Sequence, residues 1–296
     1  MTKEAGGAGV PGHGLTRTTR RQLKRGYELV ARSTGAGRLV PGFLIVGAQR
    51  SGTTSMFKTL IQHPMVARPF LRKGVHFFDI QYDHGFDWYR GRFPLSITTR
   101  LRRMGAGSPI TGESSPYYMF HPLAAARIAR DLPGVRLIVL LRNPVERAYS
   151  GHSHELARGY ETEPFERALE LEEQRIAGER DRMLAEPGYD SVHWQHHAYV
   201  KRGQYHEQLV ELERLVGRDR LCVVDSHDFF TQPAPVFAEV VNFLGLPPHE
   251  GIKFEQHNAR ARLPLSPDLQ TQLADHFAPH DERLAHWWDR VPSWRR

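Results

Sequence analysis

The chain has 296 residues, of which 40% are hydrophobic and 25% charged. These values fit a packed globular core and exclude a fibrous or low-complexity chain. The formal charge of +7 is concentrated at one end: residues 1–40 hold eight Lys/Arg against two acids, so the nearly neutral remainder is not that of a nucleic-acid binder.

In chain order, "MTKEAGGAGVPGHG" is Gly-rich and aperiodic and reads as disordered. The following "TRTTRRQLKRGYELVARS" reads as a basic helix able to make weak contact with acidic lipid or a polyanion. We therefore divide the chain into a basic, partly disordered segment, 1–40, and a single domain, 41–296. "FLIVGA" (43–48) is a continuous apolar run, the pattern of a strand buried on both faces. "TTSMFKTLIQH" (53–63) follows as a helix with Met56, Phe57, Leu60 and Ile61 on one side. "PLAAARIARDL" (122–132) is a helix and "VRLIVLL" (135–141) a second buried strand. "NPVERAYSGHSHELARG" (143–159) is a helix with Pro144 near its start and Gly159 at its end. Residues 160–204, rich in charge and His, carry helical content and no clear strand. "YHEQLVELERLVG" (205–217) is a helix, "DRLCVVD" (219–225) a third strand, and "PAPVFAEVVNFLGLP" (233–247) a helix ending at Gly245. Residues 250–266 read as a loop, and the last helix is expected to break at Pro279.

Alternation of strands and helices predicts an α/β fold: a P-loop-like three-layer domain with a central parallel sheet flanked by helices. The lone cysteine, Cys222, excludes an intrachain disulfide. The apolar runs are too short to cross a bilayer and no signal-peptide pattern is visible, so a cytoplasmic protein is expected.

The stretch "GAQRSGTTS" (47–55) has the strand–loop–helix context of a phosphate loop. The glycine spacing of a Walker loop is kept in Gly47 and Gly52, but Thr53 stands at its lysine position. The helix start after Gly52 offers backbone N–H groups and a dipole, Ser51, Thr53, Thr54 and Ser55 add hydroxyls, and Arg50 adds a charge, which suits a phosphate bound without a metal. Further on, Arg142 at a strand's end and Ser150 two turns along the next helix are spaced to meet one anion.

Together, "FLIVGAQRSGTTSMFKTL" and "LIVLLRNPVERAYSGHSHE" resemble the PAPS-dependent sulfotransferases, in particular the heparan-sulfate-type branch and its bacterial relatives. "RKGVHFFD" (72–79) resembles that branch's K-E-x-H-F-F-D, and "GESSPYY" (112–118) its G-E-x-[ST]-P-x-Y. The resemblance implies a transferase moving a sulfuryl group from PAPS (3′-phosphoadenylyl sulfate) to a hydroxyl acceptor, releasing PAP, with no metal and no nucleic-acid partner. The acceptor classes are a carbohydrate, a glycolipid or a hydroxylated natural product. It also implies that the first loop holds the 5′-phosphosulfate, with Arg50 at the family's lysine position, and that Arg142 and Ser150 hold the 3′-phosphate. By the same resemblance Arg202 and Tyr205 lie near the nucleotide, Asn258, Ala259 and Arg260 close over the 3′-phosphate, Lys73 contacts the sulfonate or acceptor, and the aromatic stretch 86–94 is core.

One position departs. The branch's glutamate base falls on Gly74, which has no side chain to take a proton. His154, His76 and Glu113 are, in that order, the candidate bases; Glu113 is also a candidate structural acceptor. The competing readings are a P-loop nucleotide kinase, disfavoured by Thr53, and a non-catalytic polyanion-binding protein working through residues 1–40.

Overall fold

The computed structural model describes residues 33–69, 74–101, 108–257 and 264–296. The basic stretch 1–32, Lys73, and Asn258, Ala259 and Arg260 lie outside the described residues. Five parallel strands, β1 (Phe43–Gly47), β2 (Val66–Ala67), β3 (Ile110–Ser114), β4 (Arg136–Leu141) and β5 (Leu221–Asp225), form a sheet in the order β2-β3-β1-β4-β5.

The unbroken apolar runs of β1 and β4 have a direct physical cause: both faces are covered. Successive side chains point to opposite faces. Phe43, Ile45, Ile138 and Leu140 pack with Met56, Phe57, Leu60, Phe237, Val240 and Val241, on helices Thr53–Leu60 and Pro233–Phe243. Leu44, Val46, Leu137, Val139 and Leu141 pack with Ile128, Leu209, Leu212 and Val216, on helices Ala124–Asp131 and Tyr205–Val216. The three layers expected from the sequence are present.

Several expected bounds differ: the helix expected over 143–159 ends at Leu156 and that over 233–247 at Phe243. The first helix ends at Leu60, not at residue 63. Pro64 disfavours a helical His63, and the His63 ring instead accepts the Met65 N–H at 3.1 Å and meets the Pro247 carbonyl at 2.9 Å. The last helix runs unbroken from Pro267 to Trp288 through Pro279. One lost backbone bond is outweighed by a buried face: Leu273 and Phe277 pack on Val145 and Ala148, and Leu284 joins the main core. Residues ahead of β1 also pack on the body. Arg38 is buried, bridges to Leu95, and donates to the Phe93 carbonyl at 2.7 Å.

Segment 160–204 is folded as helices Phe165–Ile176, Glu179–Ala185 and Val192–His196. Buried carboxylates staple it. Glu161 accepts from Arg175 at 2.7 Å, from the Tyr199 hydroxyl at 2.9 Å, and from two backbone N–H groups. Burial works against its charge, yet these donors outweigh it and hold the carboxyl down at about 2. Glu172 accepts from the Val200 and Lys201 N–H groups, and burial raises its pKa.

Because β1 lies between β3 and β4, the chain leaves it toward one edge and returns to extend the other. The carboxyl end of β1 is the switch point where open α/β sheets bind ligands.

Candidate active site

A cleft of about 910 Å³ opens at this end of the sheet. Its floor is the loop after β1. Gly52 has φ of 88° and caps the first helix, a left-handed conformation that glycine adopts without strain. Gln49, Arg50, Gly52, Thr53 and Thr54 line the cleft. Ser51 and Ser55 do not: both are buried, and the Ser55 hydroxyl accepts the His257 N–H at 2.9 Å. Of the hydroxyls expected on the phosphate loop, these two lie on its inner side.

Arg50 Nε donates to the Ser150 hydroxyl at 3.0 Å, so the sequence-predicted partners of two different phosphates touch each other. Ser150 is buried behind Arg50, whereas Arg142 lines the cleft. Arg142 donates from Nε to Glu146 at 3.0 Å and from Nη1 to the Arg50 carbonyl at 3.5 Å. Asn143 caps the helix beginning at Pro144, accepting from the Val145 N–H at 2.9 Å. Tyr205 is buried and does not line the cleft; its hydroxyl donates to the Arg142 carbonyl at 2.8 Å, so it holds the strand end that carries Arg142. Burial pushes this phenol up to about 12.

Gly74, His76, Ser114, Tyr117 and His154 also line the cleft. His76 Nδ1 lies 2.7 Å from the Oδ2 of Asp79, a carboxylate 2% exposed. With Asp79 accepting, Nδ1 carries the proton and Nε2 is the basic nitrogen. His76 has φ of 54°, a left-handed conformation rare outside glycine, fixed by its N–H donating to the Ser115 hydroxyl at 3.0 Å. A Cβ added to Gly74 would stand 2.7 Å from the Ser114 carbonyl and 3.5 Å from His76 Nε2. A side chain at 74 would therefore collide with the backbone, and an imidazole nitrogen lies within van der Waals contact of where its Cβ would be.

Glu113 is fully buried and does not line the cleft. It accepts from the Val75 N–H at 2.6 Å, from the Ser115 and Tyr118 hydroxyls at 2.7 Å each, and from the Tyr89 hydroxyl at 3.1 Å. Burial raises its pKa, against the pull of these donors. Of the two roles expected for Glu113, the geometry fits the structural acceptor, since its oxygens are occupied in fixing the segment that carries His76.

Arg202, expected near the nucleotide, lines the cleft and begins a chain of side-chain contacts that sequence reasoning missed. Arg202 donates to Gln49 Oε1, Gln49 Nε2 lies 3.5 Å from Glu155, and Glu155 holds His196 Nδ1 at 2.9 Å. Burial lowers Arg202 to about 10. Burial opposes ionisation of Glu155, but His196, Arg158 and His154 outweigh it and lower the pKa. Gln49 adjoins Arg50, and Asp79 ends the "VHFFD" segment; both were within reach of the motifs. Nothing in the sequence ties Glu155 to His196, which are 41 residues apart. Among the described residues, no cluster of His, Cys, Asp or Glu has the arrangement of a metal site, and no helix is long and apolar enough to cross a membrane.

A parallel sheet with a glycine-turned loop at its switch point, Arg50 in that loop, Arg142 beside it and a histidine paired with a buried carboxylate on the same cleft is an arrangement suited to an anionic ligand. Comparison with known proteins makes the class specific. Residues 41–262 match the sulfotransferase domain model, and the chain belongs to the sulfotransferase family. It is 28% identical over 312 residues to human bifunctional heparan sulfate N-deacetylase/N-sulfotransferase 2, covering 92% of this chain and 32% of that protein. It is 31% identical over 215 residues to mouse heparan sulfate glucosamine 3-O-sulfotransferase 6, covering 72% of this chain and 55% of that protein. The chain thus spans about a third of the first of these relatives and about half of the second. Among solved structures, a sulfotransferase from Alicyclobacillus acidocaldarius superposes with a TM-score of 0.65 at 29% identity, covering 87% of this chain and 99% of that one.

Proposed function

We propose that this sulfotransferase moves the sulfuryl group of PAPS to a hydroxyl acceptor, with His76 as the general base. The observation that carries this reading is that His76, paired with the buried Asp79, lines the same cleft as the phosphate loop. PAPS supplies the sulfuryl group and departs as PAP. Arg50 and the helix start at Gly52–Thr54 hold the phosphosulfate and neutralise the charge that grows on the leaving phosphate. Arg142 holds the 3′-phosphate, steadied from behind by Tyr205. His76 Nε2 takes the acceptor's proton as the acceptor oxygen bonds to sulfur and the bond from sulfur to the phosphate oxygen breaks. Asp79 keeps the ring in the required tautomer and balances the imidazolium that forms.

His154 also lines the cleft. His76 is preferred because a buried carboxylate orients it and because its Nε2 stands beside residue 74, where the resemblance puts the family's base. Arginine in place of lysine at 50 keeps the charge and gains a fixed fork, which here reaches along the neighbouring helix to Ser150.

The names of two relatives tie them to heparan sulfate, so a carbohydrate hydroxyl is the first acceptor class to test, then glycolipids and hydroxylated natural products. The cytoplasmic setting belongs to the same proposal; fractionation of the expressed protein tests it. The function itself is tested by a transfer assay with sulfur-labelled PAPS over a panel of hydroxyl acceptors. Label transfer that depends on His76 supports the reading, and transfer unaffected by His76→Ala but abolished by His154→Ala moves the base to His154.

A further inference from the structure

A second cavity, of about 310 Å³, lies between the turn after β3 and the helices Glu179–Ala185, Val192–His196 and Tyr205–Val216. It shares no lining residue with the cleft. One layer of side chains divides the two: the Arg202 guanidinium, on the cleft side, lies 4.7 Å from the Phe120 ring, and Tyr117 of the cleft meets His121 edge-on at 5.3 Å. The inner lining is apolar. Met119, Phe120, Trp194 and Leu212 are buried, and Phe120 stacks on Trp194 at 4.6 Å.

His121 is the polar exception inside. It lines this cavity and is 3% exposed. Its Nδ1 accepts the Leu123 N–H at 3.2 Å, so the ring proton sits on Nε2. Burial lowers the pKa to about 4, and the ring is neutral at neutral pH. Nε2 is buried, and among the described residues nothing accepts from it. Native structures rarely leave a buried N–H without an acceptor. The outer lining is charged. Glu207 already takes Arg283 at 3.0 Å, and Glu211 takes Arg214 at 2.8 Å. Arg180 and Lys201, both exposed, have looser partners: Asp181 stands 3.8 Å from Arg180, and Lys201 donates to the neutral Gln204. The rim therefore favours an anion, while the interior favours an apolar body with one hydrogen-bond acceptor, the usual composition of a small-molecule site.

We propose that this cavity binds a small, flat organic acid, with its carboxylate on Arg180 and Lys201, its ring among Met119, Trp194 and Leu212, and an oxygen at its inner end accepting from His121 Nε2. The site is separate from the transfer chemistry and does not rest on the PAPS reading.

The probe is para-methoxybenzoate, which has a carboxylate, a flat ring and an acceptor oxygen, and no hydroxyl to be sulfated. Its control is para-ethylbenzoate, of the same shape without the acceptor. In calorimetry the wild type binds the methoxy acid roughly five- to tenfold more tightly than the ethyl acid, the range for one hydrogen bond. His121→Asn, whose side-chain oxygen can still accept the Leu123 N–H, removes that difference and leaves the ethyl acid unchanged. Arg180→Glu combined with Lys201→Glu, two exposed positions, weakens both acids about tenfold or more. The methoxy acid quenches Trp emission saturably, and the quench is lost in Trp194→Phe. Saturating PAP does not displace it. Absence of saturable binding, equal affinity of the wild type for the two acids, displacement by PAP, or charge reversal without effect overturns the inference. The two-acid comparison and the charge-reversal arm decide it even if His121→Asn does not fold. A wild type that binds no PAP overturns the PAPS reading alone, because the charge-reversal arm locates the probe without PAP.

Discussion

At the carboxyl end of β1, the groups facing the cleft are nearly consecutive: Gln49, Arg50, Gly52, Thr53 and Thr54. Elsewhere around the cleft, His76, Tyr117, His154 and His196 come from four separate stretches of chain. The nucleotide side needs backbone N–H groups and fixed charges, which one turn at a strand end can supply. The other side must aim a proton acceptor, and it does so through buried carboxylates. Glu113 fixes the segment leading to His76, Asp79 orients the ring, Glu155 holds His196, and Glu161 ties down the loop beyond. One half works by local geometry and the other by long-range polar contacts, so the two halves should fail differently.

The largest expected effect is on the second half. His76→Ala lowers the rate of sulfuryl transfer about 10²–10⁴-fold while PAP affinity in calorimetry stays unchanged. A parallel loss of PAP affinity breaks the division into halves. Next is Arg142→Ala on the nucleotide side, which costs roughly 1.5–3 kcal/mol of PAP binding. The cost falls on PAP much more than on adenosine 5′-phosphate, which lacks the 3′-phosphate; equal losses place Arg142 elsewhere.

Gly74→Glu sharpens the account of the departed base. Its Cβ meets the Ser114 carbonyl at 2.7 Å, so the variant lowers the melting temperature, at about 1–3 kcal/mol for a forced local shift. It also fails to restore transfer to His76→Ala. Restored activity means that the backbone accommodates the family's carboxylate after all.

The smallest effect separates the halves by pH. Glu161 has a folded pKa of about 2 against an ordinary 4.5. A depressed carboxylate stabilises the fold above its unfolded pKa and loses that contribution as pH falls from about 4.5 toward 2. Glu161→Gln removes this part of the acid limb in urea titrations, together with some stability at neutral pH. PAP affinity at neutral pH is unaffected, because Glu161 staples segment 160–204 and not the loop. An unchanged acid limb shows that the Arg175 and Tyr199 contacts do not hold the charge.

The difference between the halves also explains what could be read in advance. β1, β4 and β5 were legible because burial on both faces writes a continuous apolar run. The phosphate loop was legible because its glycine and threonines are adjacent in sequence. The roles of Ser51 and Ser55 were not: the motif gives residue types, whereas the turn decides which hydroxyls face inward. Glu113 looked like a base for a related reason, since a carboxylate in a matched segment carries no mark of the four donors that bury it. The Glu155–His196 pair joins distant residues through side chains alone, and no periodicity records it. The unbroken helix at Pro279 depended on the packing of Phe277 and Leu284, a tertiary effect that overrides local propensity.

The central claim is that the loop after β1 is an intact site for a phosphosulfate nucleotide and not a damaged Walker loop. Thermal unfolding with PAP in the absence of magnesium tests it most directly. At one hundred times its dissociation constant PAP adds about 2.7 kcal/mol of stability, and ATP with magnesium adds much less. Stabilisation by ATP with magnesium and none by PAP contradicts the account and returns the chain to the nucleotide kinases.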